Sequence, residues 1–295
     1  MGETNDVVLS GKQADRPQQV RLTALRADHL SQGLALSQAL NWPYREEDWR
    51  FAAALGQGIV AEVDGHVRAT ALWWPYGEDH GSMGMIIVDP AMQGQGLGRA
   101  LMNELLQQAA GRTLILNSTQ EGLRLYAGLG FVPYGRIFQH QGLMHDDPDA
   151  VEVEGTIRPV RPDESDRIVA LDHAAAGMDR ARLVHALLEV GAVDVLERRG
   201  EVVGYACCRR FGHGVVIGPV VAPAPRDAMA LIAQSAKRHV GKFVRIDIPE
   251  SSDLSAWLDS IGLPNVGHVV SMVRGAQTPP ANTPPLFALA NQSLG

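Results

Sequence analysis

Apolar and polar positions alternate along the chain with two periods, one typical of strands and one typical of helices. Residues 20–26 predict a strand, and residues 28–40 and 45–55 predict two short helices. Two apolar runs then flank Asp64-Gly65, a pair that strongly favours a hairpin turn between two strands. The next apolar run, residues 81–88, predicts a buried strand.

A glycine-rich turn follows this strand and leads into a predicted helix over residues 99–110. Leu101, Leu105 and Ala109 share one face of that helix, which indicates packing against a sheet. The next elements are a strand, a helix and a strand, over residues 113–117, 121–129 and 131–139.

The same order of elements returns in the second half of the chain. Residues 194–208 resemble the first hairpin, and Gly262 stands where the first half has Gly130. The sequence therefore looks like two copies of one α/β unit, which indicates an ancient duplication. The predicted parts are a polar tail, a first domain, a linker, a second domain and an extended proline-rich tail, over residues 1–19, 20–145, 146–155, 156–275 and 276–295.

Composition narrows the function classes. The chain has 26 basic and 33 acidic side chains, a formal charge of −7, which speaks against a broad nucleic-acid-binding face. Apolar residues make up 45% of the chain, enough for packed cores, yet no run approaches the ~20 residues of a membrane-spanning helix. The first 19 residues lack the apolar core of a secretory signal. Cys207 and Cys208 are neighbours and cannot form an ordinary structural disulfide, so a reducing, cytoplasmic location is expected.

The strongest chemical signal lies at residues 86–102, where a buried strand leads through a glycine loop into a helix. Gly94, Gly96 and Gly98 leave backbone N–H groups uncovered, and the start of the helix adds partial positive charge. Arg99 in the first turn adds a full charge. This combination predicts a cradle for a pyrophosphate.

Two common phosphate-binding loops do not fit this segment. No Gly-Lys-Ser/Thr triplet follows, as a P-loop requires, and the third glycine comes one position early for a dinucleotide-binding loop. The spacing Gln93-x-x-Gly96-x-Gly98 behind Val88-x-Pro90 instead resembles the coenzyme A loop of the GNAT acetyltransferases.

A second motif supports this resemblance. Residues 118–135 match the later helix and strand of the family, whose recurring core reads L-Y-x-x-L-G-F. The segment NWPYREEDW is similar to a bacterial subgroup with a divergent second GNAT-like domain. The resemblance implies an α/β fold (α+β in some schemes) of tandem GNAT units, each a mixed, mostly antiparallel sheet flanked by helices.

The resemblance also implies roles for particular residues. Backbone amides of Ile86, Ile87 and Val88 would bind the pantetheine arm of acetyl-CoA, the expected co-substrate, with no metal. Tyr126 matches the family tyrosine that protonates the leaving thiolate, a task that suits a neutral phenol. The pyrophosphate would be held by amides of the loop, namely Gln93, Gly94, Gln95, Gly96, Leu97, Gly98 and Arg99.

Two positions depart from the family pattern. Thr119 stands where many members have an asparagine that touches the cofactor, although its hydroxyl could still reach pantetheine. Ser82 stands where some members have a glutamate base, and a serine is a poor base unaided. His80, two residues earlier on the same face of the strand, is a candidate base because its ordinary pKa is near 6.5. A solvated loop histidine, Glu78 or Asp79 as the base, and a water relay are the alternatives.

Aromatic residues are the main candidates for lining the expected acceptor pocket. In the family, the first two helices and the end of the third strand border the acceptor. Plain core packing is the competing interpretation for each residue. The candidates are Trp42, Tyr44, Arg45, Asp48, Trp49, Trp73, Trp74 and Tyr76.

The second copy lacks this machinery. The sequence APAPRD follows its strand where the glycine loop should be, and Leu258 aligns with Tyr126. We therefore predict that residues 156–275 keep the fold without coenzyme A chemistry, leaving packing, pocket shaping or dimerisation as roles. One further cluster contains residue types that can bind a metal, but it lies in the predicted joint between the copies, where we expect side chains in contact with solvent. Its residues are His140, His145, Asp146 and Asp147.

Together these features predict an acetyl-CoA-dependent N-acyltransferase that acts by direct transfer on the amine of a small molecule. Neither cysteine lies in the active copy, which favours direct transfer over a covalent enzyme intermediate. The alternatives are a non-catalytic sensor of acetyl-CoA or a small amine, and an acetyltransferase that modifies protein amines. The sequence leaves the oligomeric state open.

Overall fold

The computed structural model describes residues 5–8, 19–276 and 284–295. The chain divides into two compact units, residues 1–114 and 115–295. Both contain strands and helices, and most strand pairs are antiparallel. The predicted mixed α/β class with mostly antiparallel sheet is confirmed.

The first unit holds five strands paired in chain order. Each strand lies antiparallel to the next. Their bounds are β1 (Asn5–Val8), β2 (Gln19–Ala24), β3 (Gln57–Val63), β4 (His66–Tyr76) and β5 (His80–Val88). The helices of this unit are α1 (Leu30–Ala39), α2 (Glu46–Leu55) and α3 (Leu97–Gln108).

The types of residue at particular positions explain several features of this unit. Asp64 and Gly65 both have positive φ, 51° and 76°, as the tight turn between β3 and β4 requires. Leu101 and Leu105 of α3 and Ala109, which follows the helix directly, are all buried, so the predicted apolar face is confirmed. Within the predicted polar tail, residues 5–8 pair through their backbone with β2 as an edge strand.

Nine paired strands of the described residues form the sheet of the second unit, eight of them in one continuous order. Their order across the sheet is β6-β13-β7-β12-β11-β10-β9-β8, and β14 pairs with β11. The strands are β6 (Thr113–Ser118), β7 (Val132–Leu143), β8 (Thr156–Pro159), β9 (Ala192–Arg198), β10 (Glu201–Phe211), β11 (Gly214–Val221), β12 (Phe243–Pro249), β13 (Asn265–Arg274) and β14 (Leu286–Ala288). The helices are α4 (Leu123–Ala127), α5 (Ser165–Ala176), α6 (Ala181–Val190), α7 (Pro225–Lys237) and α8 (Ser255–Ser260).

The last strands of the two sequence copies are exchanged. β7, the final strand of the first copy, pairs antiparallel with β12 and β13, which both come from the second copy. β13 in turn lies next to β6 of the first copy. This exchange is why the compact units divide at residues 114 and 115 and not at the predicted linker. We keep the predicted boundaries as a proposal about the two sequence copies.

The predicted linker, residues 146–155, is hydrogen-bonded to the second sequence copy. The Arg226 Nε donates to the Glu152 carbonyl (2.8 Å), and the Arg198 Nε donates to the Glu154 carbonyl (2.7 Å). His140 is fully buried on β7, where its Nδ1 donates to the Leu263 carbonyl at 2.8 Å. That histidine is therefore part of the sheet and not of a solvated joint.

Part of the predicted proline-rich tail also belongs to the core. Residues 277–283 lie outside the described residues. Beyond them, β14 pairs antiparallel with β11, and Phe287, Ala288 and Ala290 are buried. Leu286–Ala288 form the strand of this segment, which is packed inside the second unit.

Candidate functional site

The glycine loop forms at the junction that the sequence indicated. After β5, Pro90–Met92 make a short 3₁₀ turn, and α3 begins at Leu97. Gly94 and Gly96 have φ of 76° and 88°, which favours glycine, and a Cβ at either position would meet nothing within 4 Å. The Gly96 carbonyl accepts the first helical bond from Ala100 N at 3.0 Å. The loop is therefore open in front of the start of α3, whose first N–H groups have no partner within the helix.

Two glutamine side chains of this loop donate hydrogen bonds to nearby backbone carbonyls. The Gln93 Nε2 donates to the Val88 carbonyl (3.2 Å), and the Gln95 Nε2 donates to the Ala91 carbonyl (3.4 Å). Leu97 is buried and anchors the first turn, Gly98 is half-buried, and Arg99 is exposed. Neutral side chains and an exposed guanidinium thus surround the open backbone, an arrangement suited to an anion.

β5 carries a bulge directly before the loop. Thr70 pairs with Ile87 but Leu72 pairs with Gly84, so β5 has one extra residue between these pairs. Met85 lies in this bulge with a φ of 49°, and the Thr70 hydroxyl donates to its carbonyl at 2.8 Å. After the bulge Ile86 and Val88 are half-buried, while Ile87 is in the core. The three predicted pantetheine-binding residues therefore lie at a defined break in the ladder.

Tyr126 lies on the short helix α4 of the second unit. Its side chain is 8% exposed, and its ring meets Phe131 edge-on with centroids 6.2 Å apart. A Cβ at Gly122 would come within 2.7 Å of the tyrosine Cε2, so glycine makes room for the ring. Burial raises the pKa of Tyr126 above its ordinary value of 10. The hydroxyl is therefore protonated at neutral pH and can donate a proton.

The loop before α4 holds Thr119 at the surface. Its carbonyl accepts bonds from the Ser118 hydroxyl (2.7 Å) and from Gly122 N (3.1 Å). Its side chain also bonds to Glu121, whose pKa is lowered, first by a backbone hydrogen bond and then by Thr119. The predicted cofactor contact of Thr119 would compete with this local bond.

Asn117 has a role that sequence reasoning missed. Its Nδ2 donates to the Gln292 carbonyl (2.8 Å), and its Oδ1 accepts from the Ser271 hydroxyl (2.7 Å). No local pattern signals these partners, because they lie more than 150 positions away.

His80 and Ser82 open β5, and both side chains are on one face of the strand. They pair across the hairpin with Tyr76 and Trp74. His80 is half-buried, whereas Ser82 is 2% exposed. Glu78 and Asp79 are exposed in the preceding turn. His80 is thus the more accessible of the two predicted base candidates.

Four of the predicted pocket aromatics are buried, as the competing core-packing interpretation expects, and their part in an acceptor pocket stays a prediction. The Trp49 Nε1 donates to the Ser37 hydroxyl (3.2 Å), and the Trp74 Nε1 donates to the Ala52 carbonyl (2.8 Å), so both indoles are fixed against helices. Trp73 and Tyr76 are also buried. Only Trp42 and Tyr44 remain half-buried in the α1–α2 connection, with ring centroids 6.3 Å apart.

Arg45 and Asp48 form an ion pair that caps α2. The Asp48 carboxylate is buried and accepts from Arg45 N (2.9 Å), Nε (3.1 Å) and Nη2 (2.7 Å). This pair satisfies the start of the helix, so the predicted acidic charge for an acceptor is already compensated.

A separate cleft of about 640 Å³ lies in the first unit, away from the glycine loop. It is bordered by Arg26, Arg50, Gly56 and Gly58, and by Gln108 at the last residue of α3. Gln108 lies one length of α3, about 18 Å, from the glycine-loop end of that helix. None of the predicted acceptor residues lines it.

The remaining predicted clusters do not form reactive sites. Cys207 and Cys208 are both buried free thiols, and burial raises the pKa of each to about 12. Within the described residues, no group of three or more His, Cys, Asp or Glu is placed to hold a metal. Nor does any helix in the described ranges have the length and apolarity to cross a bilayer.

The mixed, mostly antiparallel α/β fold, with a glycine loop at the start of a helix, is the arrangement that the resemblance to acetyltransferases implied. The Acetyltransferase (GNAT) family matches residues 24–131, and the Acetyltransferase (GNAT) domain matches residues 168–288. The two matches together cover most of the chain, one in each copy. The chain belongs to the GNAT superfamily with two GNAT-like domains, and it is a GNAT-type N-acetyltransferase.

Relatives span nearly the whole chain. The "Uncharacterized N-acetyltransferase YitH" of Bacillus subtilis (strain 168) is 28% identical over 281 residues, which cover 93% of this chain and 98% of that protein. A putative acetyltransferase from Pyrococcus horikoshii has a TM-score of 0.77 at 21% identity, over 94% of this chain and 96% of its own. A tandem GNAT protein from the clavulanic acid biosynthesis pathway has a TM-score of 0.63 at 15% identity, over 88% and 100%. At these identities the two solved structures show the fold alone.

Proposed function

We propose that the chain transfers the acetyl group of acetyl-CoA directly to the amine of a small molecule, using its first GNAT copy. The observation that carries this proposal is the open glycine loop, in which Gly94 and Gly96 expose backbone at the start of α3. Such a loop binds pyrophosphate through N–H groups and the helix dipole.

The residues present fit acetyl-CoA. A side chain at Gly94 or Gly96 would occupy the space in front of the loop, and that space is open. Amides of Gln93–Arg99 would bind the pyrophosphate, those of Ile86–Val88 the pantetheine arm, and Thr119 would contribute its hydroxyl. When bound, acetyl-CoA supplies the activated thioester.

Proton transfers would be carried by this chain's own side chains. Tyr126 would give its hydroxyl proton to the departing sulfur, since a phenol is protonated at neutral pH. His80 would accept a proton from the acceptor's ammonium group, directly or through water, with Ser82 beside it on β5. The neutral amine would then attack the thioester carbonyl carbon directly, without a covalent enzyme intermediate. As the carbon–sulfur bond breaks, the sulfur would take the Tyr126 proton, and the proton that the nitrogen loses on becoming an amide would restore that hydroxyl, directly or through water.

Trp42 and Tyr44 are the acceptor-binding residues that we retain. They are half-buried rings in the connection between α1 and α2, where a flat or apolar part of a small amine could pack. We also propose a reducing, cytoplasmic location, supported by the two free buried thiols.

The glycine loop provides the first test. Gly96→Glu places a negative charge in the cradle, and we expect coenzyme A binding to weaken at least ~100-fold, since juxtaposed like charges cost several kcal/mol. Gly111→Glu is the matched control, because Gly111 also has a positive φ (84°) and open space, at the far end of α3.

Calorimetry on both variants measures the affinity and the number of sites. We expect one site per chain in the unchanged protein and in Gly111→Glu. Unchanged affinity in Gly96→Glu would place the cofactor elsewhere. Tight binding of acetyl-CoA without acetylation of any amine in a broad panel would favour a sensor.

A further inference from the structure

Two neighbouring strands of the second unit separate part of the way along their length. β11 and β12 run parallel and pair at Val215 with Val244 and at Val216 with Arg245. Further along, Val220 and Val221 of β11 pair instead with β14. A cleft therefore opens between the strands, and residues 284–295, here named the plug segment, enter it.

The plug segment contacts both walls of this cleft. Its Leu289 N donates to the Asp247 carbonyl of β12 at 2.9 Å. A Cβ at Gly218 of β11 would overlap the Leu289 carbonyl oxygen, so glycine is required for this close approach. Phe287 and Ala288 are buried in the main apolar core of the unit.

Polar bonds fix the end of the plug segment. The Gln292 Nε2 donates to Asp247 Oδ1 and to Gln139 Oε1, both at 3.1 Å, and the Gln292 carbonyl accepts from Asn117. Asp247 is fully buried, so its carboxylate is satisfied in part by the segment. The segment is thus a fitted occupant of the cleft.

The position of this cleft matches the expected cofactor site of the first copy. With Pro223 aligned on Pro90, Val220 and Val221 correspond to Ile87 and Val88. β14 therefore pairs with the strand positions that we propose for the pantetheine arm in the first copy. Leu258, the counterpart of Tyr126, lies in the same apolar cluster as Phe287.

We propose that the plug segment is a built-in substitute for the pantetheine arm, which closes the cofactor cleft of the second copy with the chain's own backbone. The comparison with pantetheine rests on the proposed function, whereas occupation of the cleft by the segment does not. The cleft is then an intramolecular peptide-binding groove, and the chain has a single cofactor site.

Three full-length variants test this proposal. Phe287→Asp weakens the segment but leaves the groove intact, and Gly218→Ala obstructs the groove. Gly135→Ala on β7 is the control, because a Cβ there meets nothing within 4 Å. The probe is a fluorescent synthetic peptide with the sequence of residues 284–295, and hydrogen exchange of residues 286–291 reports release of the segment.

We expect the unchanged chain and Gly135→Ala to protect the segment and to bind no peptide. Phe287→Asp should exchange at least ~10-fold faster and bind the peptide, while Gly218→Ala should exchange faster and bind none. Should Phe287→Asp unfold, Phe287→Ala gives the same comparison with a milder change.

Unchanged protection in both variants would overturn the proposal, and so would a folded Phe287→Asp that releases its segment without binding the peptide. Coenzyme A binding at the glycine loop is measured in parallel. If coenzyme A binding were absent while the peptide results were as expected, the proposed function would be contradicted. The inference about the plug segment would still stand.

Discussion

Tyr126 has the two properties that a proton donor needs, which are a protonated hydroxyl at neutral pH and a fixed ring. A phenol with its ordinary pKa near 10 already has the first, and burial raises the pKa of Tyr126 further. Packing provides the second, through the edge-on contact with Phe131 and the space left by Gly122. Leu258, its counterpart in the second copy, has no hydroxyl proton to donate, and its side chain is fully buried.

Replacing Tyr126 by phenylalanine removes the proton and keeps the ring. We expect Tyr126→Phe to lower kcat by ~10²–10⁴ with coenzyme A affinity nearly unchanged. Steady-state kinetics and calorimetry on the same sample measure both quantities. Unchanged turnover with every accepted amine would assign Tyr126 to packing, and a folded Phe131→Leu control separates the hydroxyl from the aromatic contact.

Among the elements, α2 shows how a candidate pocket charge can instead stabilise a helix. The Asp48 carboxylate caps the helix and pairs with Arg45 in a buried position. We expect Asp48→Asn to lower the free energy of unfolding by about 2 kcal/mol, because a charged cap and an ion pair are both weakened. Urea unfolding measures this change.

The control for that variant lies one position away on the same helix. Glu47→Gln removes an exposed carboxylate whose distance to Arg45 is 4.0 Å, and we expect almost no loss of stability. If Asp48→Asn kept full stability but raised the acceptor KM, the carboxylate would face the acceptor after all.

Elements with local signals could be predicted from the sequence. Asp64-Gly65 fixes its hairpin by turn chemistry, and Gly94 and Gly96 mark the loop because few other residues adopt their φ. The burial of Trp49 and Trp74 could not be predicted, since an aromatic near a family pocket and an aromatic in the core have the same local pattern. Their indole bonds to Ser37 and Ala52 depend on how distant elements pack.

At the scale of the whole molecule, the boundary between the two compact units does not coincide with the boundary between the two sequence copies. The order of elements predicted two copies, yet β7 pairs with two strands that come more than 100 residues later. Such exchange leaves no trace in hydrophobic periodicity, because a strand has the same pattern whichever neighbour it pairs with. For the same reason β14 could not be predicted. Its sequence is typical of a proline-flanked tail, yet the strand pairs with β11 and belongs to the core.

The strand exchange leads to a prediction about cutting the chain between its copies. A chain ending at Asp149 keeps β7 but loses β12 and β13, the two strands that pair with it. Both edges of β7 would then expose unpaired backbone, and buried residues such as Ile137 and Met144 would face water. We expect this shortened chain to aggregate, as measured by size-exclusion chromatography with light scattering.

Producing residues 150–295 in the same cells should restore solubility to the shortened chain, since the two fragments together contain every strand of the exchanged sheet. The two fragments are then expected to elute as one complex. A monodisperse, folded chain that ends at Asp149 would show that β7 finds another partner without the second copy. In that event acceptor kinetics on the shortened chain would measure directly whether the second copy shapes the acceptor pocket, because a raised KM with unchanged coenzyme A affinity would assign it that role.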